Sequence, residues 1–201
     1  MVSPLLYYTK QKTQDYSFAK LILILIFISG CGVTEPERTD LGFFPLSVGN
    51  IWHYKIQGET TFNYISTWRV NRITKISGKD YFEIIKEISS NDYDYKDTSY
   101  YRIDNSRVIE LISTNSNENF EIPYADFGLN KNKSFNYTIY NITVKVTVVE
   151  KDKNSITFYY DAPEVVDEEH SITFEKNKGI TLFYNDARGG EYLFDYEINT
   201  Q

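Results

Sequence analysis

The chain carries one cysteine, one methionine and two histidines in 201 residues. A lone cysteine excludes an intrachain disulfide. No Gly-x-Ser-x-Gly elbow and no glycine-rich phosphate loop is present, so the local signatures of serine hydrolases and nucleotide-binding enzymes are missing. Lys and Arg number 21 against 28 Asp and Glu, with no basic stripe. Such a surface repels a phosphate backbone, and nucleic acid is set aside as a partner. Long apolar runs are missing too. The longest, residues 21–28, falls well short of the about 20 residues that span a bilayer as a helix. Beyond that run, no stretch shows a 3.6-residue period.

What is there begins with that short run, KLILILIFISGCG from Lys20 to Gly32. It lies behind Lys10, Lys12 and Lys20, the arrangement of a secretory signal core. A buried helix is the competing reading, but apolar residues on every side would need burial all round, and no other segment looks like a helical partner. The run ends in Ile28-Ser29-Gly30-Cys31, which resembles the lipobox of bacterial lipoproteins. That resemblance implies cleavage before Cys31, diacylglycerol on its thiol and acylation of the new amino terminus, so that Cys31 is the lipidated first residue and the membrane is the first partner. Two or three chains hold far more firmly than one, at about 0.8 kcal/mol per buried CH₂. Gly32 in place of a retaining Asp leans toward the outer membrane of the cell envelope.

Residues 31–40 then read as a polar, lipidated tether and residues 41–201 as one domain, long enough for a real core. Removing the signal takes the formal charge from −7 to about −9 by the same side-chain counting.

Within the domain, apolar residues recur at period two, the pattern of strands with one buried and one wet face. In IWHYKI the expected core face is Trp52, Tyr54 and Ile56, with His53 facing water. In TFNYISTWRV it is Phe62, Tyr64, Trp68 and Val70, and in YFEIIKEI it is Phe82, Ile84 and Ile88. In EYLFDYEI it is Tyr192, Phe194, Tyr196 and Ile198, with Glu191, Asp195 and Glu197 outside. Opposite parity at Val70 and Ile73 predicts a bulge near Asn71 and Arg72. A similar shift within SFNYTIYNITVKVTVVE predicts one near residues 139–141. The expected fold is all-β and antiparallel, a sandwich or an incompletely closed barrel. The large core residues lean toward a packed sandwich.

The halves resemble each other. FPLSVGNIWHYKI from Phe44 and FGLNKNKSFNYTI from Phe127 share Phe-x-Leu, five residues, an aromatic, x, Tyr, x, Ile. Two repeats, 44–113 and 127–198, are expected, with Trp52 over Phe135 and with Val70 and Phe82 over Val146 and Phe158. The first of these blocks, through Phe44, Pro45, Leu46, Gly49, Trp52 and Tyr54, also resembles the opening Phe-Pro-Leu-x-x-Gly-x-x-Trp-x-Tyr motif of a broad set of uncharacterised bacterial lipoproteins and secreted proteins. That resemblance implies an envelope address and no particular activity. Physically the motif reads as structure, with two large rings dropping into a core.

For chemistry the sequence offers little. No catalytic, cofactor-binding or metal-binding residue is assigned and no cofactor is expected. The densest polar segment, 161–170, holds Asp161, Glu164, Asp167, Glu168, Glu169 and His170. Its spacing fits no EF-hand, and it reads as a solvated loop that could meet a partner. Tyr93 and Tyr95, in the loop 91–97, form the second such surface. The expected function is a non-catalytic binding or structural module that meets an envelope protein or glycan. The alternatives are a lipid or apolar-ligand carrier with an open barrel, and a glycan-active hydrolase whose carboxylates assemble across strands.

Overall fold

The computed structural model describes residues 42–57, 64–89, 94–113, 119–185 and 189–199, and among them there is no helix. Twelve strands follow in chain order: β1 (Ile51–Gln57), β2 (Tyr64–Ile76), β3 (Lys79–Ser89), β4 (Asp94–Asp104), β5 (Arg107–Ser113), β6 (Asn119–Asp126), β7 (Ser134–Ile139), β8 (Ile142–Lys151), β9 (Ser155–Asp161), β10 (His170–Glu175), β11 (Gly179–Asn185) and β12 (Gly189–Glu197). They form one antiparallel sheet in the order β6-β5-β4-β3-β2-β1-β12-β11-β10-β9-β8-β7. The sheet curls into a nearly closed barrel with one unsealed seam, between β6 and β7. Of the two expected architectures the barrel is the one adopted. The large side chains that suggested a two-layer sandwich instead fill the inside of a single rolled sheet.

The described residues form two six-stranded meanders, β1–β6 and β7–β12, joined through the β1–β12 pairing. Tight turns drive each meander. Ser77-Gly78 and Tyr140-Asn141 both place two successive residues at positive φ, the mirror-image turn whose twist suits a two-residue hairpin. The second of these corrects an expectation. The parity shift near residue 140 is no bulge but the reversal between β7 and β8. The shift at Asn71 is a bulge as expected, with the β2–β3 register slipping between Val70 and Arg72.

The registers of the meanders overlay closely. Trp52 and Phe135 are the second residues of β1 and β7, opposite Trp68 and Val146. Gly49 and Asn132, both at positive φ, each donate their N–H to a valine carbonyl, Val70 at 2.8 Å and Val148 at 2.7 Å. Both valines are followed by a bulge. Val70 therefore corresponds to Val148 rather than Val146, and Ile84, not Phe82, to Phe158. The sequence overlay was off by one dyad, which keeps the face and changes the level.

One end of the barrel is plugged by the segments that lead into β1 and β7. The Phe44 ring meets Trp52, Tyr101 and Phe174 at 6.1, 5.7 and 5.7 Å. The Phe127 ring meets Phe43, Phe158 and Phe174 at 5.3, 6.0 and 5.1 Å. Each plug is tied to the opposite half. Gly42 O accepts from Asn177 N at 2.7 Å, and Phe127 N donates to Ser106 O at 2.9 Å. Rings of this size bury about 150–250 Å² each, so this layer supplies much of the driving force for closure.

Candidate functional site

The loops singled out from sequence are placed as follows. Tyr93 lies outside the described residues, as does Cys31. Tyr95 is an exposed residue of β4, and Asp161 closes β9. Glu164, Asp167 and Glu168 are exposed on the β9–β10 connection and Glu169 is half-buried there. Asn185 of β11 holds that connection by donating to Asp167 O at 3.3 Å and Glu169 O at 2.9 Å. Among the described residues, no three His, Cys, Asp or Glu side chains are placed to share a metal ion. His170 departs from the loop reading. It opens β10, and its half-buried ring stacks on Tyr160 at 4.6 Å and Phe183 at 5.1 Å. Burial lowers its pKa, only partly offset by the bond from Nδ1 to Glu168 O at 2.9 Å.

The larger correction concerns β12. Its rings were expected inside and its carboxylates outside. Instead Tyr192, Phe194 and Tyr196 are 40, 47 and 41% exposed, while Glu191 pairs opposite Ile56 and faces the interior charges of the barrel. Strict alternation fails here because Phe194 is a bulge residue; past it the expected faces return, with Tyr196 opposite the core residue Trp52, Ile198 packed on the core, and Asp195 and Glu197 exposed. The register with β1 slips between His53 and Tyr54, so that Leu193 and Asp195 oppose these two neighbours.

That bulge opens a groove. β11 and β12 are paired only from Leu182 opposite Tyr192 to Asn185 opposite Gly189. Beyond this, β12 follows β1 while Gly179 and Ile180 of β11 stay with β10, and the strands splay. β11 carries its own bulge at Thr181, where the register with β10 slips between Thr173 and Phe174. The splay would strand carbonyls of the β11 side, and β1 caps them from within. Tyr54 Oη donates to Ile180 O at 3.1 Å, and Trp52 Nε1 donates to Lys178 O. Trp52 and Tyr54 thus do more than fill the core. They satisfy backbone groups that β12 leaves behind, which a buried carbonyl requires.

The resulting cavity measures ≈ 450 Å³. Its apolar walls are Leu182, Tyr192, Leu193, Phe194 and Tyr196, and its polar edge is Thr173, Thr181, Glu175 and Lys178. Lys178 Nζ binds Glu175 Oε2 at 2.6 Å, an ion pair that raises the lysine pKa. Lys55 Nζ sits 4.9 Å from the centre of the Phe194 ring, and His53 packs 6.0 Å from the same ring, so the platform extends onto β1. The Tyr192 ring folds back over Gly190, where an added Cβ would approach it to 2.9 Å. Glycine at 190 is what allows that ring position.

Inside the barrel the first meander holds charge that clean face segregation did not anticipate. Lys86 Nζ lies 4.0 Å from the centre of the Trp68 ring and 3.2 Å from Tyr101 Oη. Tyr101 Oη donates to Glu110 Oε1 at 2.8 Å. Burial lowers the pKa of Lys86, opposed by Glu110, Asp97 and Glu191. It raises those of Glu110 and Glu191, opposed in both by Lys86. Tyr137, on β7, is pushed up to about 12, by burial first and then by the Glu110 carboxylate. The signal was available, since Lys86 shares parity with Phe82, Ile84 and Ile88.

No protein-family model matches the chain, and no curated protein matches it. Among solved structures, it resembles a candidate lipoprotein from Parabacteroides distasonis ATCC 8503, with 12% identity and a TM-score of 0.40, over 77% of this chain and 98% of that one.

Proposed function

We propose that this protein is a lipid-anchored bacterial envelope protein whose β domain is a non-catalytic binding module, with the β11–β12 groove as its contact surface. One observation carries the reading. Three partly exposed aromatic side chains of one strand line a concave cavity, Tyr192 and Phe194 on the outer face of the sheet and Tyr196 beyond the bulge, where packing would have predicted all three inside. A contiguous exposed apolar patch with convergent polar groups is the usual form of a contact site. The interior is filled by rings, which counts against the carrier.

The anchor rests on Cys31 and the lipobox-like residues before it, and Gly32 makes the outer membrane the proposed address. Gly42 is bonded to the β10–β11 turn, the turn that supplies Lys178 to the groove. Residues 31–41, fully extended, reach at most about 40 Å, so the groove works close to the membrane. Two measurements test this reading. Mass spectrometry of the N-terminal peptide should find diacylglycerol on a Cys31 that begins the chain. An unmodified Cys31 still joined to Gly30 refutes the anchor. Purified envelope fractions should retain a Cys31→Ser form, which carries no lipid, and release the same form bearing Phe194→Ala and Tyr196→Ala. Equal retention of both refutes the groove.

A second reading has its own observation. Glu110 and Glu191 both face Lys86 inside the barrel, and a pair of carboxyl groups is what a glycan-active hydrolase uses. Release of reducing ends from envelope glycan that disappears in both Glu110→Gln and Glu191→Gln would replace the first reading with this one.

A further inference from the structure

We infer that the β11–β12 groove binds a neutral pyranose chain, its ring faces laid on Tyr192, Phe194 and Tyr196 and its hydroxyls met by Thr173, Thr181, Glu175 and Lys178. This rests on the groove being the contact surface. The chemistry of the lining matches such a ligand. The lining divides into an aromatic wall and a hydrogen-bonding edge. A wholly apolar ligand would cover the ion pair and the threonine hydroxyls without replacing their water, which is costly. A charged ligand finds no net charge to meet at that edge, because Glu175 and Lys178 already neutralise each other at 2.6 Å. A pyranose has both halves of the complement, an apolar face of C–H bonds and a rim of hydroxyls that donate and accept.

Supply of both roles is also unusually complete. Lys178 offers donors, Glu175 acceptors, and the threonines either. The platform is preorganised. Thr173 is fixed by Thr157, with their hydroxyls 3.0 Å apart, Phe194 is flanked by Lys55 and His53, and Tyr192 is seated on Gly190. Rigid rings lose little entropy on binding. The groove also runs along a strand, so an extended chain can lie across successive rings.

The test is calorimetry of the intact protein with chitotetraose, cellotetraose and maltotetraose, repeated on Phe194→Ala, Tyr196→Ala and Tyr95→Ala. Tyr95 is an equally exposed ring on β4 and serves as control. The expected result is saturable binding of at least one tetraose. Each groove substitution should weaken it about tenfold, as for a well-packed contact residue, with unchanged thermal midpoint and with Tyr95→Ala binding as the parent does. Purified peptidoglycan sacculi and purified lipopolysaccharide, compared in the same assay, then separate the two envelope sources of pyranose chains. Binding of a proline-rich peptide or of phosphatidylethanolamine vesicles through the same rings, with no tetraose bound, overturns the ligand class and leaves the groove standing. A tetraose that binds parent and groove variants alike overturns both. No binding of any tetraose, sacculus or lipopolysaccharide overturns the inference.

Discussion

The two meanders share strand order and register but distribute their side chains in opposite ways. The first conceals charge. Lys86 and Glu110 lie inside the barrel, bridged by Tyr101. The second lines its side of the core mainly with Val146, Val148, Ile156, Phe158, Ile172 and Phe174, adds Glu191 of β12 to the charge around Lys86, and displays Tyr184, Tyr192 and Phe194 on its outside. The difference teaches that one hairpin grammar can serve as a wall or as a platform, and that a single bulge decides which. Where β12 keeps pace with β11, the sheet is continuous. Where its bulge sends it after β1, backbone is left over, and the Trp52 and Tyr54 of β1 reach across to satisfy it.

The largest expected effect compares corresponding positions. Trp52→Ala should cost about 3–5 kcal/mol, since the ring is fully buried and also caps Lys178 O. Phe135→Ala, at the matching place in β7 but only half-buried, should cost clearly less. Equal losses in urea unfolding would mean that the meanders are loaded alike.

Next comes the concealed charge. Lys86→Ala removes the cation that Glu110 and Glu191 face, and should cost about 1–3 kcal/mol by leaving buried carboxyl groups uncompensated. Substituting Lys145, exposed on the outside of β8, should change stability by no more than about 0.5 kcal/mol.

The carboxylates of the first meander should then separate by pH. Glu121, outside on β6, accepts from Arg102 at 2.8 Å and Lys79 at 2.7 Å, and its pKa is lowered to about 2. A depressed folded pKa gives stability that is present above the unfolded value and lost as pH falls through the folded one. Glu121→Gln should therefore lose its destabilising effect on acidification between about pH 4.5 and 2. Glu110 is raised by burial, so the sign reverses. The parent loses stability relative to Glu110→Gln as pH rises from the ordinary glutamate range through the raised folded pKa, and the gap is constant above it. Parallel profiles for the two variants would contradict the inside–outside contrast.

The smallest expected effect is on the displayed rings. Tyr192→Ala and Phe194→Ala should each change stability by about 0.5 kcal/mol or less, because neither ring is core.

Much of the architecture was readable from residues. Period-two patterning marked β1, β3 and β8, glycine and asparagine marked turns, and the parity break at Asn71 marked its bulge. The β7–β8 reversal was missed because Tyr140 is an unusual residue at positive φ, and an aromatic in a run of alternating apolar residues reads as strand. The site was missed for a deeper reason. Alternation in EYLFDYEI reports a period, not which side is in. Hydrophobicity favours the rings as core, and only the pairing with β1 and its bulge put Tyr192 and Phe194 outside while returning Tyr196 to the face of Trp52. The lone hint was Gly189-Gly190, which leaves room for Tyr192 to lie over its own strand. The predicted contact segments, by contrast, were chosen for clustered charge and for Tyr93 and Tyr95, and His170 shows the cost, since its ring stacks on the buried Tyr160 as part of β10.

Thiol accessibility along β12 tests the central claim most directly. In a Cys31→Ser chain, the single substitutions Glu191→Cys, Tyr192→Cys, Leu193→Cys and Phe194→Cys are each reacted with a maleimide under native conditions. Fast labelling at 192 and 194 and slow labelling at 191 and 193 is the predicted pattern, with all four equal in denaturant. Fast labelling at 191 and 193 with protection at 192 and 194 would turn the rings back into the core and remove the groove.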